Sequence, residues 1–457
     1  MSVANPVVER LTRADLRAFV SRAVVAAVRR AAATSPLYAW FYGRAGVRPE
    51  LLSTIDEVRR HVPLLSKQDV LAFQQTLPGG GATPTDPAVR QLHLTSGTSG
   101  AGREIYPRDS NDLAGLGIPG AYEYLWAGLR PGDRLMLTIP YSQTMAGPYF
   151  QETCAAAGLV PVNAFAGSTA DRLRDLYRFA CAGISGTPSY VHRLTLEARE
   201  QGLRPATDLP SLRAVFVSGE PYGAGWAHDI GAFWGATVCE GWGATQTLGV
   251  AMCTCEHGAV LLDADGAPAH GVLHGLDHRC WIEVVGPDGT PVEPGQTGEI
   301  VVTTLRPGGQ PTIRFRMADR VRLLEPGSCG CGRALSCYAA GTIGRVDDMI
   351  KIRGMNVWPD AVDAVLLRSP VVDYRGRVYS DERGRESVEV TIAFAAGTPP
   401  SAVADHPERL RHAVRQAVGV TVDIRVVDPA DMPEEQFKSR RWRDERAVRE
   451  APVGSHA

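Results

Sequence analysis

The sequence has neither a long uninterrupted apolar run nor an excess of charge of one sign. Its 48 Lys and Arg residues nearly balance its 50 Asp and Glu residues, which leaves a net charge of −2. A near-neutral chain gives no electrostatic reason to expect nucleic acid or an anionic membrane as a partner. The apolar patches of residues 1–33 are interrupted by Arg and Glu, which favours an amphipathic helix over a signal peptide or a membrane span. We therefore expect a cytoplasmic protein.

The cysteines do not suggest disulfides, because there are nine of them and no secretory signal precedes them. They fall into two groups on tight segments, and the candidate metal ligands there are Cys253, Cys255, His257, Cys329 and Cys331. Four of these five residues could form a closed tetrahedral site for a structural Zn²⁺ ion. The gap of about 70 residues between the groups differs from that of a zinc finger. Free core thiols with a surface histidine are the alternative.

The chain of 457 residues is long enough for two or three domains with a sizeable core. The first ninety residues look helical. Strand-like and helix-like runs then alternate to about residue 250, which predicts α/β layers around a largely parallel sheet. Residues 259–325 show strands separated by turn signals, so they predict a β-rich subdomain. A smaller α+β unit begins after Arg345.

A hydroxylic loop follows the alternating segment 91–94, and it consists of Thr95, Ser96, Gly97, Thr98, Ser99 and Gly100. Its backbone N–H groups and hydroxyls could surround a polyphosphate, because no bulky side chain keeps the anion away. The G-x-x-x-x-G-K-[ST] pattern of a Walker A loop is absent. By composition alone the segment is more typical of a flexible surface loop.

Six blocks in order along the chain resemble the adenylate-forming superfamily, which includes acyl-CoA synthetases, peptide-synthetase adenylation domains and luciferases. The blocks are 95–100, 186–190, 218–221, 240–246, 314–319, and 344–349 with 353–359. They are most similar to the phenylacetate–CoA ligase branch, and the resemblance runs from Ser35 to about Arg446. It implies a large N-terminal AMP-binding domain, 1–346, of parallel-sheet layers with a β-rich subdomain at about 253–335. A small mobile α+β lid domain, 347–457, follows.

The resemblance also implies roles for individual residues. Asp319 would hold the ribose hydroxyls, although alone it would be a turn aspartate or a helix cap. Lys438 would be the catalytic cation at the carboxylate and α-phosphate, although alone it would be a solvated surface charge. Asp347 would be the hinge. The other implied nucleotide-site residues are Gly219, Glu220, Pro221, Glu240, Gly241, Trp242, Gly243, Ala244, Thr245 and Arg345, and the implied acid-pocket residues are Tyr141, Ser142, Gln143 and Gly147. Some relatives in this branch carry a structural zinc in the β-rich region.

Three features of the sequence depart from the family pattern. Ala101, Gly102 and Arg103 follow the loop where relatives have Lys-Pro, and Arg103 could replace the missing cation. Gln246, a candidate catalytic residue, stands where relatives place a glutamate that meets Mg²⁺, so metal affinity should fall. The pocket segment 141–147 is polar, which favours a hydroxylated or amino-substituted aromatic acid, or another polar carboxylic acid, and a specialised biosynthetic ligase.

We expect a ligase that uses ATP and Mg²⁺ to activate a carboxylic acid as acyl-AMP and then transfers the acyl group to CoA. One alternative keeps adenylation but changes the acceptor to an amine or a carrier-protein thiol. Another is a non-catalytic binding protein on the same fold, which Gln246 favours and Lys438 disfavours. The expected partners are a small-molecule carboxylic acid and CoA, and neither nucleic acid nor membrane. A homodimer stays open, and the sequence identifies neither the acid nor the acceptor.

Overall fold

A computed structural model of the protein describes residues 4–77, 88–95, 102–139, 145–164, 167–306, 310–346, 349–352, 355–380, 386–394, 398–432 and 441–446. The chain divides into two compact units, residues 1–347 and residues 348–457. The first unit is a mixed α/β structure around a large sheet and the second is a smaller α+β structure, which confirms the predicted fold class. Within these described residues, no helix combines the length and the apolar character that a membrane span requires.

Helices form the N-terminal part of the first unit: α1 (Arg13–Thr34), α2 (Pro36–Ala45), α3 (Ile55–His61) and α4 (Lys67–Gln75), with short 3₁₀ turns at Val8–Arg10 and Pro49–Leu51. Three of them begin at a side-chain cap, because Thr12, Thr54 and Ser66 each accept a hydrogen bond from a backbone N–H in the first turn. Such caps satisfy donors that have no partner within the helix. The amphipathic helix predicted within residues 1–33 is α1.

The strands of the first unit are β1 (Gln91–Leu94), β2 (Ile105–Arg108), β3 (Arg134–Leu137), β4 (Val160–Asn163), β5 (Gly183–Gly186), β6 (Ala214–Val217), β7 (Thr237–Ala244), β8 (Gly249–Thr254), β9 (Val260–Leu262), β10 (Pro268–His270), β11 (Val272–Gly275), β12 (Cys280–Val285), β13 (Thr297–Thr304), β14 (Phe315–Leu324), β15 (Cys337–Ala339) and β16 (Gly344–Arg345). The helices among them are α5 (Ser110–Ala114), α6 (Ile118–Trp126), α7 (Ala146–Ala157), α8 (Thr169–Arg178), α9 (Pro188–Glu200), α10 (Pro205–Asp208) and α11 (Ala224–Trp234).

The main sheet of this unit has the order β12-β13-β14-β15-β11-β8-β7-β6-β5-β3-β4, with β16 paired to β14. Strands β4, β3, β5, β6 and β7 are parallel, and β8, β11–β15 join the sheet through antiparallel pairs. Every residue of β5 and β6 is buried, which explains their short apolar sequences, because helices cover both faces of a parallel sheet. β1 pairs with β2 and β9 with β10 in two separate hairpins.

β14 carries an irregularity that matters for the site. Glu299 pairs with Arg320 and Val301 pairs with Arg316, so three residues of β14 stand opposite a single residue of β13. Ala318, in the middle of these three, has a φ of 55°, and its N–H donates to the Glu299 carboxylate at 3.2 Å. A bulge of this kind re-aims the side chains it contains, and Asp319 is one of them.

The second unit contains β17 (Ile350–Ile352), β18 (Met355–Val357), α12 (Pro359–Leu366), β19 (Val371–Ser380), β20 (Glu386–Phe394), α13 (Pro400–Val418), β21 (Asp423–Val427), a 3₁₀ turn at Pro429–Asp431 and β22 (Trp442–Asp444). Its sheet has the order β21-β20-β19-β22, and its core includes the buried side chains of Val378, Val390 and Val414. A Cβ at Gly376 would lie 2.3 Å from the Trp442 ring, so only glycine lets the last strand pack there.

Candidate active site

Three of the six sequence blocks follow parallel strands and therefore lie at one edge of the sheet. Thr187 follows β5 and Ser218 follows β6, while 240–246 ends β7 and forms the turn after it. In open α/β sheets, ligands bind outside the carboxyl ends of the strands. The topology thus brings the predicted residues Gly219, Glu220, Pro221, Glu240, Gly241, Trp242, Gly243, Ala244 and Thr245 to the edge where a nucleotide would bind.

Glu220 links the loop after β6 to the segment after β5 by hydrogen bonds. Its two carboxylate oxygens accept hydrogen bonds from the backbone N–H and the hydroxyl of Ser189, each at 2.9 Å. Ser189 lies in the first turn of α9, where backbone N–H groups have no partner within the helix. Glu220 therefore shapes the edge of the site.

Glu240 is a buried carboxylate at the same edge. One of its oxygens accepts hydrogen bonds from the Tyr222 hydroxyl and the Gly341 N–H, both at 2.6 Å. Burial raises the pKa of Glu240 to about 7. Burial and the neighbouring Glu240 raise the pKa of Glu123, a residue of α6 that the sequence analysis missed, to about 8. A Cβ at Gly241 would lie 2.5 Å from the Glu123 carboxylate, which explains the glycine in this buried strand.

Asp319, Trp242 and Arg345 come from three different blocks and meet in the structure. The Trp242 indole donates from Nε1 to Asp319 Oδ2 at 3.2 Å, and the Arg345 guanidinium donates to Asp319 Oδ1 at 3.1 Å. Asp319 lies in the bulge of β14 opposite Arg345 of β16, so it is neither a turn aspartate nor a helix cap. Its half-buried carboxylate is positioned by these donors, and a carboxylate can accept several hydrogen bonds.

Gln246 lies in the turn after β7 and is buried. Its side-chain amide donates to the two oxygens of Glu104 at 3.3 and 3.5 Å. Its backbone carbonyl accepts from the Thr312 hydroxyl at 2.8 Å. Glu104 also accepts from the Tyr106 hydroxyl at 3.1 Å. Burial raises the pKa of Glu104 although the charge of Lys67 opposes the shift. No motif in the sequence marks Glu104, and its place four residues after Gly100 is the one available signal.

Carboxylate and amide oxygens are the protein ligands that Mg²⁺ prefers, and Glu104 with Gln246 offers both kinds beside the predicted phosphate loop. The donor set of this corner therefore fits the magnesium that the resemblance implies. Arg103, the proposed replacement cation, donates from Nε to the Thr95 carbonyl at 2.9 Å and so lies at the base of that loop. Among the other predicted residues, Gly147 lies in α7. Ser96, Gly97, Thr98, Ser99, Gly100, Tyr141, Ser142, Gln143, Asp347 and Lys438 lie outside the described residues.

A second cluster lies in the antiparallel part of the sheet. The ligand atoms of Cys255, His274, Cys329 and Cys331 are all within 4.8 Å of one another, and all four residues are buried. Cys255 follows β8, His274 is in β11, and the other two cysteines precede β15. The three segments meet because β11 pairs with both β8 and β15.

The composition of this cluster differs from the five ligands considered from the sequence. The histidine of the four-membered group is His274, whose Nε2 is 3.5 Å from the Cys331 sulfur. Cys253 is inside β8, opposite His274, and is not part of the group. His257 is exposed, and its Nδ1 contacts the Cys329 sulfur at 3.4 Å. The sequence missed His274 because it lies in an apolar strand far from both cysteine groups.

Comparisons with known proteins identify the family of this chain. The AMP-binding enzyme family matches residues 8–305, and its C-terminal domain family matches residues 354–446. The phenylacetate–coenzyme A ligase of Thermus thermophilus is 28% identical over 94% of this chain and 96% of its own length. The corresponding Escherichia coli ligase is 26% identical over 95% of this chain and 96% of its own length.

A crystal structure of 2-hydroxyisobutyryl-CoA ligase in complex with its acyl-adenylate matches the fold with a TM-score of 0.83. It is 23% identical, and the alignment covers 96% of this chain and 92% of that chain. At this identity the likeness concerns the fold alone, whereas the family match extends over most of the chain. The resemblance seen in the six sequence blocks is thereby confirmed, and the chain belongs to the AMP-binding enzyme family, in its phenylacetate–CoA ligase-like branch.

Proposed function

We propose that this protein is an acid–thiol ligase that forms an acyl-adenylate from ATP and a carboxylic acid and transfers the acyl group to CoA. The meeting of Trp242, Asp319 and Arg345 at the carboxyl edge of the sheet carries the proposal. It brings together an indole, a carboxylate and a guanidinium, which are groups that can stack on a base and form hydrogen bonds with a ribose. The relatives named above are CoA ligases, which supports the same class of reaction.

In this proposal the substrate carboxylate attacks the α-phosphorus of ATP and pyrophosphate leaves. The CoA thiol then attacks the acyl carbonyl, loses its proton, and AMP leaves. Because the first step concentrates negative charge, the enzyme acts mainly by positioning and by charge stabilisation. The loop 95–100 would hold the phosphates, Asp319 the ribose hydroxyls, and Glu240 the exocyclic amine of adenine. Bound Mg²⁺ would neutralise charge on the triphosphate.

The two parts of the chain would have different functions. Residues 1–346 would bind the nucleotide and the acid, and residues 347–457 would act as a lid that turns about Asp347. Lys438 would stabilise charge at the carboxylate and α-phosphate during adenylation. For the acid, we favour a hydroxylated or amino-substituted aromatic substrate of specialised metabolism, because the pocket segment 141–147 is rich in polar side chains.

The buried cluster of Cys255, His274, Cys329 and Cys331 would hold a structural zinc. Three thiolates and one imidazole form the donor set of closed tetrahedral zinc sites. The supporting observation is the convergence of four buried ligand atoms within 4.8 Å from three segments of the β-rich region. Such an ion would clamp β8, β11 and the loop before β15, and it would take no part in adenylation.

Pyrophosphate release tests the proposed function. The protein is incubated with ATP, Mg²⁺ and a panel of phenylacetates, benzoates with hydroxyl or amino substituents, and 2-hydroxyisobutyrate, with and without CoA. We expect acid-dependent pyrophosphate release that CoA accelerates, together with an acyl-CoA detected by mass spectrometry. Release that CoA leaves unchanged would assign another acceptor, an amine or a carrier-protein thiol. Nucleotide binding without release across the panel would favour a binding protein.

A further inference from the structure

This chain lacks the glutamate of the family pattern at position 246, but another carboxylate lies beside that position. Position 246 is an amide in this chain, yet the Glu104 carboxylate lies 3.3 Å from the Gln246 side-chain nitrogen. Both residues are buried, with exposed fractions of 2% for Glu104 and 8% for Gln246. They are 142 positions apart in the sequence. The acid and the amide thus form one pair, assembled from two distant segments.

The fold holds Glu104 at the base of the predicted phosphate loop. β1 and β2 pair so that Leu94 is opposite Ile105, and one residue further Thr95 and Glu104 exchange hydrogen bonds. The Thr95 N–H donates to the Glu104 carbonyl at 3.1 Å, and the Glu104 N–H donates to the Thr95 hydroxyl at 3.0 Å. Glu104 is therefore directly across from the first residue of the loop, and a ligand on that loop would be its neighbour.

Among the described residues, no Lys or Arg forms an ion pair with Glu104 at 4.0 Å or less. Its hydrogen-bond donors, the Tyr106 hydroxyl and the Gln246 amide, are neutral, and the charge of Lys67 favours its ionised form. Glu283, which is also buried, has a direct ion-pair partner in Arg314. A buried carboxylate without a direct ion pair is costly, and a divalent cation would offset that cost.

We propose that Glu104 supplies the metal-binding carboxylate that relatives supply from position 246, with Gln246 acting as a positioning residue that orients it. The inference rests on the proposed function, since the cation would arrive with ATP. In this assignment the acid is Glu104, one residue before β2, and the amide is Gln246 in the turn after β7. Gln246 holds the Glu104 carboxylate through its amide nitrogen, while the Thr312 hydroxyl fixes the Gln246 backbone.

Binding of Mn²⁺ tests this assignment independently of turnover. The full-length protein is saturated with the non-hydrolysable analogue α,β-methylene-ATP, and free Mn²⁺ is measured by electron paramagnetic resonance. We expect E104Q to weaken Mn²⁺ binding at least about tenfold, because the charge of a direct ligand is lost. The swapped double variant E104Q/Q246E keeps one acid and one amide, and it should recover affinity to within about threefold of the wild type.

E50Q, at an exposed position of the 3₁₀ turn Pro49–Leu51, is the matched control, because it removes the charge of a glutamate that the assignment does not use, and its Mn²⁺ affinity should stay within about twofold of the wild type. Thermal melting identifies any variant that is not folded. A folded E104Q protein with wild-type Mn²⁺ affinity would overturn the assignment, and so would an E50Q protein that loses as much affinity as E104Q. A wild-type protein that binds no nucleotide analogue would overturn the proposed function, and the role of Glu104 with it.

Discussion

The indole nitrogen of Trp242 donates to the Asp319 carboxylate at 3.2 Å, across 77 positions of sequence. One residue ends a parallel strand and the other lies in a bulge of an antiparallel strand. Their contact joins the two parts of the main sheet at the point where the nucleotide is proposed to bind.

Replacing Asp319 with Ala should weaken use of ATP. The change removes the carboxylate proposed to accept from the ribose hydroxyls, and hydrogen bonds to a charged group contribute about 1.5–3 kcal/mol. We expect the KM for ATP in pyrophosphate exchange to rise at least tenfold, by about 1.4 kcal/mol or more. Asp423→Ala, at an exposed position of β21, is the matched control and should leave KM unchanged. A wild-type KM in folded Asp319→Ala protein would contradict the ribose role.

Replacing Lys438 with Ala should separate the two half-reactions. Loss of a cation that stabilises charge in the transition state typically costs about a hundredfold in rate. We expect adenylation, measured by pyrophosphate exchange, to fall by about that factor. Transfer from synthetic acyl-AMP to CoA should persist, because the role proposed for the lysine is in the first step. Arg443→Ala, from the same basic segment, serves as the control, and full adenylation by Lys438→Ala would remove the role assigned to this lysine.

The zinc proposal predicts which histidine matters. Purified protein should contain about one equivalent of zinc, and a content below about half an equivalent would count against the site. His274→Ala should lose the metal and melt at a lower temperature, since a closed structural site contributes folding free energy. His257→Ala should keep both the metal and the melting temperature, because His257 is the exposed histidine beside Cys329. Loss of the metal from His257→Ala but not from His274→Ala would assign the ligand role to His257 instead.

The buried acids Glu123 and Glu240 predict a pH dependence of stability. Their folded-state pKa values, about 8 and about 7, lie above the ordinary range of a glutamate, so folding favours the protonated forms. Their contribution to stability is fully present below about pH 4 and is lost as the pH rises to about 8, at up to about 1.4 kcal/mol per pH unit for one group. We expect the wild-type melting temperature to fall between pH 6 and pH 8.5. Glu123→Gln should flatten this fall, and an equally steep profile for the variant would contradict the raised pKa of Glu123.

The local sequence predicted much of the framework. The strand-like segments of β5 and β6, the alternation of strands and helices before residue 250 and the β-rich pattern after residue 259 all correspond to observed elements. These features depend on periodicity and on burial of whole strands, which a sequence displays directly. The six blocks likewise indicated the family, because each consists of neighbouring residues in the chain.

The sequence by itself determined the fold class, the family and the order of the candidate nucleotide loops. Only the tertiary structure decided which distant side chains meet. His274 joins Cys255, Cys329 and Cys331 because β11 pairs with two strands, and Glu104 reaches Gln246 because the loop after β7 lies beside the β1–β2 hairpin. The bulge that re-aims Asp319 depends on the register between β13 and β14. Strand order and the position of the bulge depend on which distant segments pack together, so the pattern of a single strand does not identify these contacts.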